Sequence, residues 1–134
     1  MGVLIDASIL IEYERGRGDL SQHLESRGEE EFFLSVVTAS ELLHGVHRAR
    51  DPGVRARRSA FVEAALERFP LLPVDLTTAR VHAQLWADLA SAGTPIGPHD
   101  MWLAASAVAH GLVLVTANVR EFQRVNGLTV EAWL

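Results

Sequence analysis

Short apolar runs at residues 2–5, 32–36, 71–74 and 112–115 alternate with longer stretches patterned as helices, and this alternation limits the fold more than any other feature. Runs this short, rich in branched and aromatic residues, suit strands buried on both faces. Residues 8–14 and 20–26 read as two short helices parted by the breaker Gly16-Arg17-Gly18. Residues 38–50 carry Ala39, Leu42, Leu43 and Val46 at the i, i+3, i+4, i+7 spacing of a buried stripe, and Asp51-Pro52-Gly53 stops them. Helices are expected over 55–69 and 77–92, the second with His82, Leu85, Trp86 and Leu89 on one face. After a Gly/Pro turn over 93–98, Asp100 opens a helix over 101–110 that is apolar nearly all round and therefore central. Gly111 ends that helix, and 128–130 reads as a last strand at the edge. The pattern predicts an α/β fold over 1–134: one domain, with a central parallel sheet between two helical layers.

All 12 basic residues are arginine. Without lysine there is no GxxxxGK[ST] phosphate loop and no Schiff-base chemistry. The absence of cysteine removes disulfides and thiolate zinc sites. The first residues lack the basic start and apolar stretch of a signal peptide, and no apolar run nears the ~18 residues of a membrane span. A cytoplasmic protein without membrane contact is the expectation. The net charge of −5 argues against a nucleic-acid partner, unless several of the acids are metal ligands.

Four positions concentrate the chemistry. Asp6 follows the 2–5 run, and ligand sites of open parallel sheets lie outside the carboxyl ends of the strands. Asp also commonly caps a helix, and one starts near Ser8. Glu41 fits a capping box with Thr38, yet its helical ridge also carries Gly45 and Arg48. A glycine one turn beyond a carboxylate leaves room for a ligand, at about 1 kcal/mol of helix propensity. Asp100 opens a buried helix, whose dipole offers a carboxylate only about 0.3–1 kcal/mol. The segment 116–122 (Thr-Ala-Asn-Val-Arg-Glu-Phe) leaves a strand end as Asp6 does, with Asn118 and Glu121 as polar groups. If these acids meet, each pair near 5 Å costs about 3 kcal/mol at an effective dielectric near 20. Divalent cations offset that cost, and all-oxygen ligands point to Mg²⁺ or Mn²⁺ rather than zinc.

Residues 3–8 (Val-Leu-Ile-Asp-Ala-Ser), 38–45 (Thr-Ala-Ser-Glu-Leu-Leu-His-Gly), 96–105 around Asp100 and 116–122, with Trp133 near the end, resemble in order and spacing the signatures of PIN domains. Among these the chain is most similar to VapC-type toxins of bacterial toxin–antitoxin pairs. The resemblance implies a Mg²⁺- or Mn²⁺-dependent endoribonuclease that leaves 5′-phosphate and 3′-hydroxyl ends. Asp6 and Asp100 would be the metal ligands and Glu41 would complete the catalytic pocket with Asn118, supported by Ser8, Thr116 and Glu121. Many members carry an acid where this chain has Asn118, which favours one well-held ion. The resemblance also implies a homodimer and a small antitoxin partner.

Arg48, Arg50, Arg55, Arg57 and Arg58 form the one basic cluster in the sequence; Arg48 and Arg50 are the candidates for RNA phosphates, and a solvated helix face is the plain alternative. Two rival functions stay open. One is a metal-free ribonuclease using His44, His47, His99 or His110, which would form a 2′,3′-cyclic phosphate in EDTA. The other is a binding module: a receiver-like domain, disfavoured by the missing lysine, or a silent PIN-like scaffold suggested by Asn118.

Overall fold

In the computed structural model, which describes residues 2–133, the sheet is built of β1 (Val3–Ile5), β2 (Phe32–Ser35), β3 (Leu71–Leu72), β4 (Val113–Val115) and β5 (Val130–Glu131). All pairings are parallel, in the order β3-β2-β1-β4-β5. The helices are α1 (Ala7–Glu14), α2 (Leu20–Ser26), α3 (Val36–Arg48), α4 (Pro52–Arg68), α5 (Leu76–Ala92), α6 (Pro98–His110) and α7 (Val119–Phe122). No helix among the described residues is long and apolar enough to cross a membrane.

Strand alternation divides the interior in two. Val3 and Ile5 of β1 and Val115 of β4 pack with Leu10, Leu42, Val46 and Val62, burying α1, α3 and α4 on one face. Leu4 and Leu114 point the other way, onto Leu85, Leu89, Leu103 and Phe122 of α5, α6 and α7. The central strand is therefore apolar at every position, and β1 is wholly buried.

The chain winds outward from β1 through β2 to β3, then returns to β4 and β5 on the other side. That reversal opens a crevice outside the carboxyl ends of β1 and β4. Helices after a parallel strand start at this edge, and helices leading into one also start there. Asp6, the start of α3, the start of α6 and Thr116 consequently share one rim.

Several element boundaries differ from expectation for local reasons. The second strand ends at Ser35, not Val36, because the Ser35 hydroxyl accepts from the Val37 N–H at 3.0 Å and starts α3 there. Thr38 is thus inside the helix, and the capping box with Glu41 does not form. Asp51 accepts from the Val54 N–H at 2.9 Å, with Pro52 at the first helical position, so α4 begins earlier than expected. Leu85 and Leu89 are buried, but Trp86 is 62% exposed; His82 turns aside and stacks on Trp102 with ring centroids 3.5 Å apart. Trp133 stacks on His23 of α2 at 5.2 Å, tying the last described residue to the first helical layer.

Candidate active site

Asp6 occupies the residue before α1 but makes no capping hydrogen bond. Its Oδ2 instead accepts from Ser8 Oγ at 2.7 Å and Thr116 Oγ1 at 2.8 Å. Each hydroxyl is itself oriented by the backbone: the Ala117 N–H donates to Ser8 Oγ at 3.0 Å, and the Asn118 N–H to Thr116 Oγ1 at 2.9 Å. With a backbone donor on each oxygen, both hydroxyl protons are directed at the carboxylate. Asp6 is 3% exposed and locked in one rotamer, with Oδ1 the oxygen left for a ligand.

Asp100 sits in the first turn of α6, with Pro98 at the helix start. Gly97 lies where two carboxylates meet: a Cβ built on it would stand 3.7 Å from Asp100 Oδ2 and 3.9 Å from Glu121 Oε1. The Gly97 N–H donates to that Glu121 oxygen at 3.0 Å, so the loop before α6 holds a carboxylate from α7. Burial, then Asp6, Glu121 and Glu41, raise Asp100 from 3.8 to about 7. Glu41, on α3, is also raised, by burial and then by Asp6, with partial relief from His99. Four carboxylates from four separate segments therefore feel one another at the rim.

Asn118 is exposed, at the start of α7, and its side chain makes no hydrogen bond among the described residues. Its backbone N–H, not its amide group, serves Asp6 through Thr116. Glu121 is the group from this segment that faces the other acids. Sequence reasoning missed the Gly97 N–H, whose role depends on a residue 24 positions away.

The basic cluster divides by role. Arg55 donates to the Ala49 carbonyl at 2.9 and 2.6 Å, and Arg58 to the Gly45 carbonyl at 3.0 Å. Both thereby satisfy carbonyls at the end of α3. Arg58 also pairs with Glu14 at 3.1 Å. Arg48 and Arg50 are exposed and form no ion pair among the described residues. The histidines are dispersed: His99 stands near Glu41, whereas His110, at the opposite end of α6, stands near Asp75.

The carboxylates of the rim offer oxygen donors, with the His99 imidazole near Glu41, and such carboxylates suit a hard cation. Among the described residues no three His, Asp or Glu side chains are close enough to enclose an ion by themselves.

The PIN domain family model matches residues 3–128. A relative named ribonuclease VapC1, from Rickettsia felis, is 36% identical over 130 residues, covering 97% of this chain and 95% of its own length. The tRNA(fMet)-specific endonuclease VapC of Salmonella typhimurium is 41% identical over 101 residues, covering 75% of this chain and 74% of its own length. Among solved structures, VapBC-5 of Mycobacterium tuberculosis, a member of the VapBC family of toxin–antitoxin systems, superimposes with a TM-score of 0.75 at 32% identity, covering 98% of this chain and 95% of that one.

Proposed function

The chain belongs to the PIN domain family, and from that premise we propose that it is a metal-dependent endoribonuclease, the toxin of a toxin–antitoxin pair. The observation that carries this reading is the convergence of Asp6, Glu41, Asp100 and Glu121, which brings Asp100 to about 7. A fold tolerates such repulsion most economically where a cation and a phosphate are to be handled.

PIN-domain nucleases of this kind depend on metal as a class; Mg²⁺ or Mn²⁺ is our specific assignment, held by Asp6 Oδ1 and Asp100. When bound, the ion supplies Lewis acidity that lowers the pKa of water and neutralises charge developing on phosphate oxygens. Ser8 and Thr116 fix the Asp6 carboxylate, and the Gly97 N–H fixes Glu121. Asp100 gives up its proton near neutral pH, so the site is ready to take a cation there. Glu41 closes the acidic pocket from α3. Arg48 and Arg50 are assigned to RNA phosphates, residues 1–134 to a single nuclease domain, and the active species to a cytoplasmic homodimer neutralised by a small antitoxin.

The test is cleavage of RNA, including initiator tRNA as one substrate, in Mn²⁺ and in EDTA, with the product ends mapped. The proposal expects metal-dependent cuts with 5′-phosphate ends, abolished by Asp6→Asn and by Asp100→Asn. Cuts in EDTA that leave 2′,3′-cyclic phosphates would assign the activity to histidine instead. Absence of both Mn²⁺ binding and cleavage would leave a scaffold.

A further inference from the structure

The segment after β4 turns opposite charges in opposite directions. Phe122 is fully buried and anchors α7, and Glu121 accepts from the Gly97 N–H at 3.0 Å, which carries its carboxylate inward to the acids of the rim. Asn118, Arg120 and Arg124 are exposed. With Ala117, Val119 and Glu121 they line a shallow hollow of about 490 Å³ beside that rim. Asn118 N–H donates to Thr116 Oγ1 at 2.9 Å and Thr116 to Asp6 at 2.8 Å, so two hydrogen bonds link the backbone of the hollow to a carboxylate of the site.

The two arginines differ from a solvated basic face in how their charge is left. Glu121 stands three residues before Arg124, a spacing that favours an ion pair on a helix. No such pair forms among the described residues, because the Gly97 N–H takes the carboxylate. Arg124 is held instead by a neutral acceptor: its Nη1 donates to the Pro95 carbonyl at 3.0 Å. That hydrogen bond fixes the guanidinium and leaves its charge and remaining donors uncompensated. Arg120, one helical turn earlier, also forms no ion pair among the described residues, and like charges at this spacing repel. An anion in the hollow relieves that repulsion.

We propose that Arg120 and Arg124 grip one backbone phosphate of single-stranded RNA, next to the phosphate handled at the acidic rim. This rests on the nuclease reading above and adds where the strand crosses the α7 flank, in the helical layer opposite α3. Paired N–H donors of guanidinium match the free oxygens of a phosphodiester, and such a contact positions the strand without reading its bases. No aromatic ring lines the hollow, so it offers a hold for backbone and not a platform for a stacked base. Arginine on a neighbouring phosphate also offsets the repulsion that the carboxylates of the rim exert on the strand.

Anisotropy of a labelled single-stranded RNA on the full chain carrying Asp100→Asn, in EDTA, reads binding without cleavage. Adding Arg120→Gln should weaken binding about tenfold and lower the slope of log affinity against log salt by about 0.7, the value for one phosphate contact on a single strand. Arg120→Lys should restore the slope and part of the affinity, and neither variant should move the Tm, since the side chain is exposed. Methylphosphonate linkages, each removing one phosphate charge, are then scanned along the RNA. One position should cost comparable affinity with Arg120 present and lose its effect with Arg120→Gln. Unchanged affinity and slope with Arg120→Gln overturn the proposal, as does a loss spread evenly over all positions, which marks diffuse surface charge. Inorganic phosphate and a short glutamate-rich peptide are titrated against the same chains. Arg120-dependent binding of either one, with no Arg120 effect on RNA, makes the hollow a small-anion or a protein-binding site and overturns the grip. Cleavage by the chain with Asp100 intact in Mn²⁺ is scored separately. Cuts without an Arg120-dependent position overturn the grip alone, and an Arg120-dependent position without cuts overturns the nuclease reading alone.

Discussion

Asp100→Asn should make the metal-free protein more stable at pH 8 and leave it nearly unchanged at about pH 3.5, below the ordinary carboxyl value. In the folded chain Asp100 is raised from 3.8 to about 7 by burial and by Asp6, Glu121 and Glu41. A displacement of that size corresponds to about 4 kcal/mol. Solvent still reaching the half-buried group screens this to about 2 kcal/mol. A carboxyl raised on folding binds more protons in the native state than in the unfolded one between pH 4 and pH 7. Stability therefore falls as pH rises through that window, and the full penalty is present above it. Asparagine keeps the shape and removes the charge, so the variant should lack this component of the slope. Urea denaturation in EDTA at about pH 3.5 and pH 8 measures the difference directly, with Asn ahead by about 2 kcal/mol at pH 8, or roughly 8 °C in Tm. Saturating Mn²⁺ should reverse the order at pH 8, since a ligand at a hundred times its Kd contributes about 2.7 kcal/mol to the chain that binds it. Parallel pH slopes for the two proteins in EDTA would refute the claim that repulsion is concentrated on Asp100.

Two further outcomes follow from the hydrogen bonding. Thr116→Val removes the 2.8 Å donor to Asp6 and the acceptor of the Asn118 N–H, and should lower Mn²⁺ affinity at least tenfold by calorimetry; unchanged affinity would mean that Asp6 is held by its packing alone. Thr38 is 1% exposed and its hydroxyl has no partner among the described residues, so Thr38→Val should stabilise the protein by about 1 kcal/mol in denaturant melts; a loss of stability would show that the hydroxyl is satisfied.

The parallel sheet was legible because its strands are buried on both faces and so lack polar alternation, as Val3-Leu4-Ile5 and Val113-Leu114-Val115 show. Burial of α6 was legible for the same reason, since it presents apolar residues in every direction. Capping was less so: Ser35 competes with Thr38 for the start of α3, and a hydroxyl followed by a helical pattern occurs at both. Trp86 was misplaced because Leu85 and Leu89 already fill the buried ridge of α5, which leaves the adjacent ridge to the surface. At the rim, the strand-end position of Asp6 and the helix-start position of Asp100 can be read from local pattern. The Gly97–Glu121 hydrogen bond and the division of labour among the arginines depend on tertiary contacts that no local spacing encodes.

The most direct measurement is anomalous diffraction from crystals soaked in Mn²⁺ at pH 8. A single strong peak within coordinating distance of both the Asp6 and Asp100 carboxylates is the predicted result. A peak elsewhere, or none at saturating Mn²⁺, would contradict the claim that these acids are gathered to hold a cation.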